Sequence, residues 1–341
     1  MITPFVQFRR ASLLETCRLL AAQIAALQME WMPEVSGLLP AAVLHDICTF
    51  SRKASCRRLE ELPAVAAAGF TDLCVTRPGS DLNDLQQIMN RVRHCDLTFV
   101  ADHFRQAELL SQAACEVDCS VSVLIDTECG RQLTGVRPGP DSVRLAEAIS
   151  QLPRLTVGGV FVDDEAVTIL GSAASGTVTD ILISSDPEII AIHSRRMIQA
   201  AGISCPRLVS GRFFNPVSRP STAVTHCLLS PLERAAGIEC RQVPDGMAAN
   251  ASRLAPWTVF TRVLSRPTLE TCVIDAGTSL LGADTIVLSP PGATLLRSAA
   301  DVSALSLSGA ALDLRIGDLV ELETASYAGF HLPVMRLDTL E

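Results

Sequence analysis

The chain has 341 residues, of which 48% are hydrophobic, and its 28 basic and 37 acidic side chains give a net charge of −9. This length is sufficient for a large α/β domain with a smaller domain appended to it. The acidic balance, without any run of more than two adjacent lysines or arginines, argues against nucleic acid or an anionic membrane as a partner.

Twelve cysteines are spread along the chain without a CxxC pair, which favours buried thiols in a reducing compartment over a disulfide framework. The spacing of Cys115 and Cys119 suits zinc, but no second pair supports a metal site, so a structural role is favoured. The N-terminus lacks a signal-peptide pattern, and no uncharged apolar stretch reaches eighteen residues. We therefore expect a soluble, cytoplasmic protein.

Taken in order, the chain opens with a short strand at residues 5–8 and an amphipathic helix at 11–28, and short apolar runs then alternate with helical segments. The predicted strands cover residues 31–36, 54–56, 73–76, 97–102, 121–126, 157–162, 207–209 and about 224–229. The predicted helices cover residues 59–68, 81–92, 104–114, 141–152 and 187–201.

This alternation predicts about eight parallel strands joined by helices, and hence a closed (β/α)8 barrel of the TIM type over residues 10–240. In such barrels the functional groups lie at the carboxyl ends of the strands. After residue 240 the pattern becomes turn-rich and alternating, with predicted strands at 257–264, 271–275, 285–288 and 318–324. This part, residues 241–341, predicts an antiparallel β domain.

Several segments carry a family resemblance. They are Trp-Met-Pro-Glu-Val-Ser at 31–36, Ile-Asp-Thr-Glu-Cys-Gly-Arg at 125–131, Val-Ser-Gly at 209–211, Ser-Arg-Pro at 265–267, Ile-Asp-Ala-Gly at 274–277 and Ile-Gly-Asp at 316–318. In this order they resemble the D-threonine aldolase and D-serine dehydratase family, whose members share the alanine-racemase type of pyridoxal-phosphate fold. The resemblance covers residues 3–331. It implies that the opening strand, residues 1–9, packs against the C-terminal β domain.

In that family the first barrel strand reads roughly Leu-Arg-Pro-His-Val-Lys, and its lysine forms the Schiff base with the cofactor. Here Glu34 replaces the histidine and Ser36 replaces the lysine. A hydroxyl cannot condense with an aldehyde as an amine does. Lys53 is the only lysine in the chain, and at the entry to a barrel strand it is expected at the face opposite the active site. We therefore expect no covalent pyridoxal phosphate, while non-covalent binding of the cofactor stays open.

The resemblance also assigns cofactor-binding positions. Arg131 corresponds to a residue beside the cofactor ring, although an arginine that merely pins its loop is an equal alternative. Ser210, Gly211 and Arg212 correspond to the family's glycine-rich phosphate loop, in which bare N–H groups close on the phosphate. Here Arg212 and the two following phenylalanines replace small residues, which favours a filled loop.

Two further family positions are altered. Asp163 stands in place of an active-site tyrosine and begins a run of three acids, which is either an acid/base group, a cation site or an exposed loop. Tyr327 and Gly329 stand where the family has its metal ligands, and neither is a good ligand for a divalent metal. We therefore expect no bound metal, although His331 lies nearby in sequence.

These losses predict a degenerate member of the family with a binding or assembly role. Because members of the resembled family dimerise, the resemblance implies that the chain pairs with itself or with an active relative. The alternative is a lyase- or aldolase-like enzyme acting on a small amino or hydroxy acid through a rewritten site. In it, Asp163, Asp164 or Glu34 would be the acid/base groups, and Arg131 or Arg212 would hold a small anionic, amino-acid-like ligand.

Overall fold

The computed structural model describes residues 5–8, 10–128, 134–162, 187–210, 224–228, 230–231, 257–278, 281, 285–299, 301–323 and 335–337. The chain divides into two compact units. One comprises Leu20–Gly37 and Cys48–Ser230, and the other comprises Met1–Leu19, Leu38–Ile47 and Pro231–Glu341. The predicted domain boundary at residues 240 and 241 lies outside the described residues.

The first unit is built on eight parallel strands. In chain order, the opening strand of the protein is β1 (Phe5–Phe8), and the eight parallel strands that follow are β2 (Glu30–Trp31), β3 (Lys53–Arg58), β4 (Asp72–Arg77), β5 (Asp96–Ala101), β6 (Val121–Asp126), β7 (Leu155–Val162), β8 (Arg207–Ser210) and β9 (His226–Cys227). They pair in the order β2-β9-β8-β7-β6-β5-β4-β3.

Hydrogen bonds beyond the short β2 close this sheet into a barrel. The Val35 N–H donates to the Ser55 carbonyl oxygen at 2.9 Å, and the Ser55 N–H donates to the Pro33 carbonyl oxygen at 2.9 Å. Glu34 and Ser55 thereby form a parallel bridge between the first and last strands of the sheet order. The predicted strand at 31–36 is therefore regular over only two residues but continues its pairing through Val35.

The helices of the described chain are α1 (Arg10–Ala26), α2 (Ala41–Cys48), α3 (Leu62–Ala67), α4 (Leu82–Arg91), α5 (Phe104–Val117), α6 (Pro140–Ser150) and α7 (Pro187–Ala200). Local chemistry determines where they begin and end. Asp81 caps α4, since its side chain accepts the Asp84 N–H at 3.0 Å. Leu85 and Met89, four residues apart on α4, are both buried. Gly69, with φ of 108°, follows the end of α3.

One apolar cluster fills the middle of the barrel. Five of its members lie within strands β4 to β8, and two directly follow β2 and β9. The seven residues are Met32, Cys74, Val100, Leu124, Phe161, Val209 and Leu228. Each is no more than 3% exposed. A packed interior of this kind leaves function to the residues above it, at the carboxyl ends of the strands.

The second unit contains an antiparallel sheet. Its strands are β1 with β10 (Trp257–Thr268), β11 (Thr271–Ile274), β12 (Ile286–Ser289), β13 (Ala293–Ser298), β14 (Ser303–Leu307), β15 (Leu319–Glu323) and β16 (Met335–Leu337). The main path is β12-β15-β10-β11-β14-β13, and β1 pairs with β10 and β16. The predicted fold class is confirmed, as is the pairing of the opening strand with the C-terminal sheet.

Candidate functional site

A cavity of about 300 Å³ lies at the carboxyl ends of β4, β5, β6 and β7. Val100 and Phe161, two members of the apolar cluster, form part of its lining. Its polar lining includes Thr76, Arg77 and Asp126. A cavity of this size at this end of a barrel has the dimensions and location of a small-molecule site.

Asp102, which follows β5, is the best-defined carboxylate of the cavity. Its Oδ2 accepts the Gly135 N–H at 3.0 Å, and its own N–H donates to Gln106 Oε1 at 2.9 Å. Gly135 has φ of 100°, and a Cβ there would lie 2.5 Å from the Glu128 nitrogen. Only glycine therefore fits the turn that brings this N–H to Asp102.

Asp126 ends β6 and is the second carboxylate of the cavity. It is 7% exposed, and its carbonyl oxygen accepts the Val136 N–H at 2.9 Å. With Asp102 and Arg77, the described lining carries two acidic groups and one basic group. Such a lining suits a ligand that has both a positively charged and a negatively charged group.

Position 36 is occupied by a hydroxyl that is already hydrogen-bonded. Ser36 is 2% exposed, and its Oγ donates to Glu61 Oε1 at 2.7 Å. The other carboxylate oxygen of Glu61 accepts the Arg58 N–H at 3.0 Å. Glu61 ends the single 3₁₀ turn Leu59–Glu61 between β3 and α3. The carboxylate is thus held from two sides.

Glu34, two residues before Ser36, is engaged in an ion pair. Its Oε1 lies 2.6 Å from Arg57 Nε, and the two side chains are 15% and 30% exposed. Successive residues of an extended segment point to opposite sides, so Glu34 lies on the same side as Met32 of the apolar cluster. The Glu34 carboxylate, which the sequence suggests as an acid/base group, is therefore already bound by Arg57.

The carboxylates near position 36 also affect Cys56 on β3. Burial raises the pKa of the Cys56 thiol well above its usual value, and the negative charges of Glu61 and Glu34 raise it further. The thiol is thus held in its protonated form, and its surroundings are negatively charged.

Lys53 lies at the other end of the barrel. It begins β3, and its Nζ is 2.8 Å from Glu30 Oε2 and 2.9 Å from Asp72 Oδ2, on the first residues of β2 and β4. Burial lowers the pKa of Lys53, but the two carboxylates outweigh it, and the net direction is upward. The ammonium is stabilised at the amino ends of the strands, as its position in the sequence predicts.

The remaining predicted site residues are placed as follows. Ser210 is the last residue of β8, is 8% exposed, and its carbonyl oxygen accepts the Leu228 N–H at 3.2 Å. The others lie outside the described residues: Arg131, Asp163, Asp164, Gly211, Arg212, Tyr327, Gly329 and His331.

The sequence reasoning did not single out Arg77, Asp102, Asp126 or Glu61. A signal for the two aspartates is present, since each directly follows or ends a predicted apolar strand. Glu61 carries no such signal, because its partner Ser36 lies 25 residues away.

Within the described ranges, no three His, Cys, Asp or Glu side chains converge closely enough to hold a metal ion. No helix in those ranges combines the length and apolar character needed to cross a membrane.

Comparisons with known proteins identify the fold. Residues 41–163 match the family model of the alanine racemase N-terminal domain. The D-threonine aldolase from Filomicrobium marinum superposes with a TM-score of 0.75 at 17% identity, covering 96% of this chain and 88% of that one. An alanine racemase-like protein from Idiomarina loihiensis gives 0.69 at 17% identity, covering 96% and 90%.

The D-threo-3-hydroxyaspartate dehydratase from Delftia sp. HT23 gives a TM-score of 0.66 at 17% identity, covering 96% of this chain and 91% of that one. No curated protein matches the chain. The resemblance found in the sequence is thereby confirmed for the fold: a parallel barrel of the alanine racemase type with a separate antiparallel sheet.

Proposed function

We propose that this chain is a degenerate relative of the D-threonine aldolases and D-serine dehydratases that binds a small amino-acid-like ligand and performs no lysine-dependent pyridoxal-phosphate catalysis. One observation carries the proposal. The family resemblance places the lysine position at Ser36, whose Oγ donates to Glu61 at 2.7 Å. Lys53, the only lysine of the sequence, is bound to two carboxylates at the opposite end of the barrel.

Pyridoxal phosphate attaches covalently through an unprotonated primary amine. Neither position meets this requirement. Ser36 offers a hydroxyl, and the Lys53 ammonium has a raised pKa because Glu30 and Asp72 outweigh its burial. The described residues therefore do not fit covalent attachment of the cofactor, and we derive no reaction step through it.

The ligand site that we propose is the cavity above Val100 and Phe161. Arg77 supplies a guanidinium for a carboxylate, and Asp102 and Asp126 supply acceptors for an ammonium group. A zwitterionic amino acid combines both charges. Asp102 is held in place by the Gly135 N–H, so the acceptor is oriented before a ligand enters.

A thermal-shift screen of amino and hydroxy acids, followed by calorimetry on any ligand found, tests this proposal. We expect at least one ligand to raise the melting temperature, and we expect Arg77→Ala to weaken its binding about tenfold or more. The matched control is Arg93→Ala, which removes an exposed guanidinium outside the cavity lining. Equal binding by the two variants would refute the cavity as the site.

A rewritten enzyme site is the second candidate, and Asp102 and Asp126 favour it, because two carboxylates beside one cavity can serve as acid and base. It would act on a small amino or hydroxy acid without a lysine. Turnover of a ligand found in the screen, followed by mass spectrometry and lost in Asp126→Asn, would establish this candidate. A ligand recovered unchanged would favour binding alone.

We also propose that the chain pairs with itself or with an active relative. Exposed apolar side chains of the antiparallel-sheet unit support an assembly role, and they include Leu264, Leu269, Ile316 and Leu319 at 49%, 82%, 66% and 42% exposure. Sedimentation velocity of the purified chain over a hundredfold concentration range should show a species of twice the chain mass. A single monomeric species throughout would exclude self-pairing.

A further inference from the structure

We infer that Glu61 locks position 36, so that a lysine returned to this position alone is held mainly as an ammonium group and binds aldehydes poorly near neutral pH. This inference rests on the proposed function, because it concerns why the anchoring amine is absent. Glu61 is a positioning residue, because its carboxylate would hold an amine at position 36 in its protonated form. An amine that binds aldehydes near neutral pH therefore requires two changes, a lysine at position 36 and removal of the Glu61 charge.

The first support is the way in which Glu61 is held. One of its carboxylate oxygens accepts from Ser36 Oγ at 2.7 Å, and the other accepts the Arg58 N–H at 3.0 Å. The chain after Ser36 also lies directly against it. A Cβ on Gly37 would lie 2.7 Å from the Glu61 carbonyl oxygen and 2.9 Å from its Cα. The backbone that follows Ser36 is therefore packed against the backbone of Glu61, which keeps the two residues next to each other.

The second support is the charge around this position. Glu34 lies two residues away, but Arg57 binds it at 2.6 Å, so the charge of Glu34 is partly compensated by a guanidinium. The Glu61 carboxylate has hydrogen-bond donors but is not in an ion pair among the described residues. Burial raises the pKa of the nearby Cys56 thiol, and Glu61 is the first charged group that adds to this rise. The local field therefore stabilises a proton.

The chemical consequence follows from the protonation state of an amine. A lysine at position 36 would begin beside Glu61, whose carboxylate accepts from Ser36 Oγ, and a carboxylate beside an ammonium group favours the charged form. Only the neutral amine has the lone pair that attacks an aldehyde carbon. The attack forms a C=N bond and releases one water, and borohydride then delivers hydride to that carbon to give a stable secondary amine. Glu61 thus suppresses the first step by retaining the proton.

The experiment compares Ser36→Lys with Ser36→Lys/Glu61→Gln, both in a Lys53→Arg background in which position 36 carries the only lysine. Each protein is incubated with pyridoxal phosphate, and separately with pyridoxal, between pH 6 and 10, then treated with borohydride. The adduct is measured by intact mass and peptide mapping. We expect the pH midpoint of adduct formation to be at least about one unit higher in Ser36→Lys than in Ser36→Lys/Glu61→Gln. This shift is equivalent to about tenfold less adduct near pH 7 in Ser36→Lys. Coincident pH profiles would overturn the lock.

Pyridoxal lacks the phosphate group, so it distinguishes an effect of Glu61 on the amine from an effect on phosphate binding. If Glu61 acts on the amine, the pH midpoint of adduct formation should shift equally between the two variants with either aldehyde. A displacement seen with pyridoxal phosphate alone would overturn the lock, because Glu61 would then act on the phosphate group. The unsubstituted chain is measured in parallel. A saturable adduct on its Lys53 would contradict the proposed function and leave the comparison at position 36 unaffected.

A double-mutant cycle keeps the inference testable if the lysine variants do not fold. Ser36→Ala, Glu61→Gln and the double variant are compared by urea denaturation. Each substitution changes the unfolding equilibrium constant by some factor. We expect the factor of the double variant to be at least about fivefold smaller than the product of the two single-variant factors, which indicates coupling. Multiplicative changes would mean that Ser36 and Glu61 act independently, and the lock would be rejected.

Discussion

Arg207 fills the amino end of the barrel interior. Its Nη2 approaches Ser122 Oγ at 2.5 Å, both terminal nitrogens lie 3.3 Å from Thr98 Oγ1, and its Nε donates to the Gly158 carbonyl oxygen at 3.1 Å. These contacts explain why Gly158 within β7 has no side chain. A Cβ on Gly158 would lie 2.1 Å from Ser122 Oγ and 2.4 Å from Arg207 Nη2.

We predict that Gly158→Ala lowers the unfolding free energy by about 1–3 kcal/mol, because the guanidinium must leave its hydrogen bonds. Urea denaturation measures this loss. The control is Gly202→Ala, at a position with φ of 83° and open space around the missing Cβ, where only backbone strain of about 1 kcal/mol is expected. A smaller loss at position 158 than at 202 would show that Arg207 does not depend on the glycine.

Lys53 forms ion pairs with Glu30 and Asp72 at the amino ends of the barrel strands. We predict that Lys53→Met lowers the unfolding free energy by about 1 kcal/mol, because Glu30 and Asp72 lose their common partner while remaining partly exposed. Lys53→Arg should keep most of that stability. Ligand binding in the barrel mouth should be unchanged in Lys53→Arg, and its loss there would contradict a purely structural role.

At the scale of elements, the amino ends of the barrel strands form a charged cluster. His226 at the start of β9 lies 3.7 Å from Glu30, and its Nδ1 lies 2.9 Å from Thr225 Oγ1. Burial lowers the pKa of His226 to about 4, with Lys53 and Arg207 acting in the same direction and Glu30 opposing them. The histidine is therefore neutral in the folded protein near neutral pH.

This arrangement predicts an acid-sensitive fold. Between pH 6.5 and 4 the unfolded chain protonates His226 and the folded chain does not, so the unfolded state binds more protons and stability falls as the pH falls. The loss should reach roughly 3 kcal/mol across this window. Urea denaturation at several pH values should show that His226→Gln reduces the slope. His94→Gln, an exposed histidine, is the control, and equal slopes for the two variants would contradict the assignment.

The elements themselves were largely predictable from sequence. β6, for example, has the bounds that its apolar run predicts, and α4 is one residue shorter at each end than predicted. Strands β13 and β14 were not predicted, because β13 has exposed side chains at four of its six positions and β14 is only five residues long and contains two serines. Helix α2 was also missed, since its eight residues are too short for a clear helical period.

At the scale of the whole molecule, the sequence places polar residues at the carboxyl ends of the barrel strands, but it does not show which of them line the cavity. The absence of an amine at Ser36 and the distant position of Lys53 follow from residue identity and strand polarity. The Ser36–Glu61 and Glu34–Arg57 pairs could not be predicted, because they join residues 25 and 23 positions apart whose approach depends on the closed barrel.

The cavity also depends on contacts between residues that are distant in sequence. Asp102 depends on a turn that only Gly135 permits, and this turn lies 33 residues further along the chain. Local patterns cannot foresee such a contact, although they can place an aspartate at the end of an apolar strand. Glu34, Ser36 and Asp102 near the carboxyl ends of the strands are thus each ion-paired or hydrogen-bonded to another residue.

Borohydride reduction of the unsubstituted protein after incubation with pyridoxal phosphate, with peptide mapping of any adduct, tests the central claim most directly. We predict that no saturable adduct forms on the folded chain at neutral pH and that only the urea-unfolded chain is modified at Lys53. A stoichiometric adduct on Lys53 of the folded protein would contradict the account.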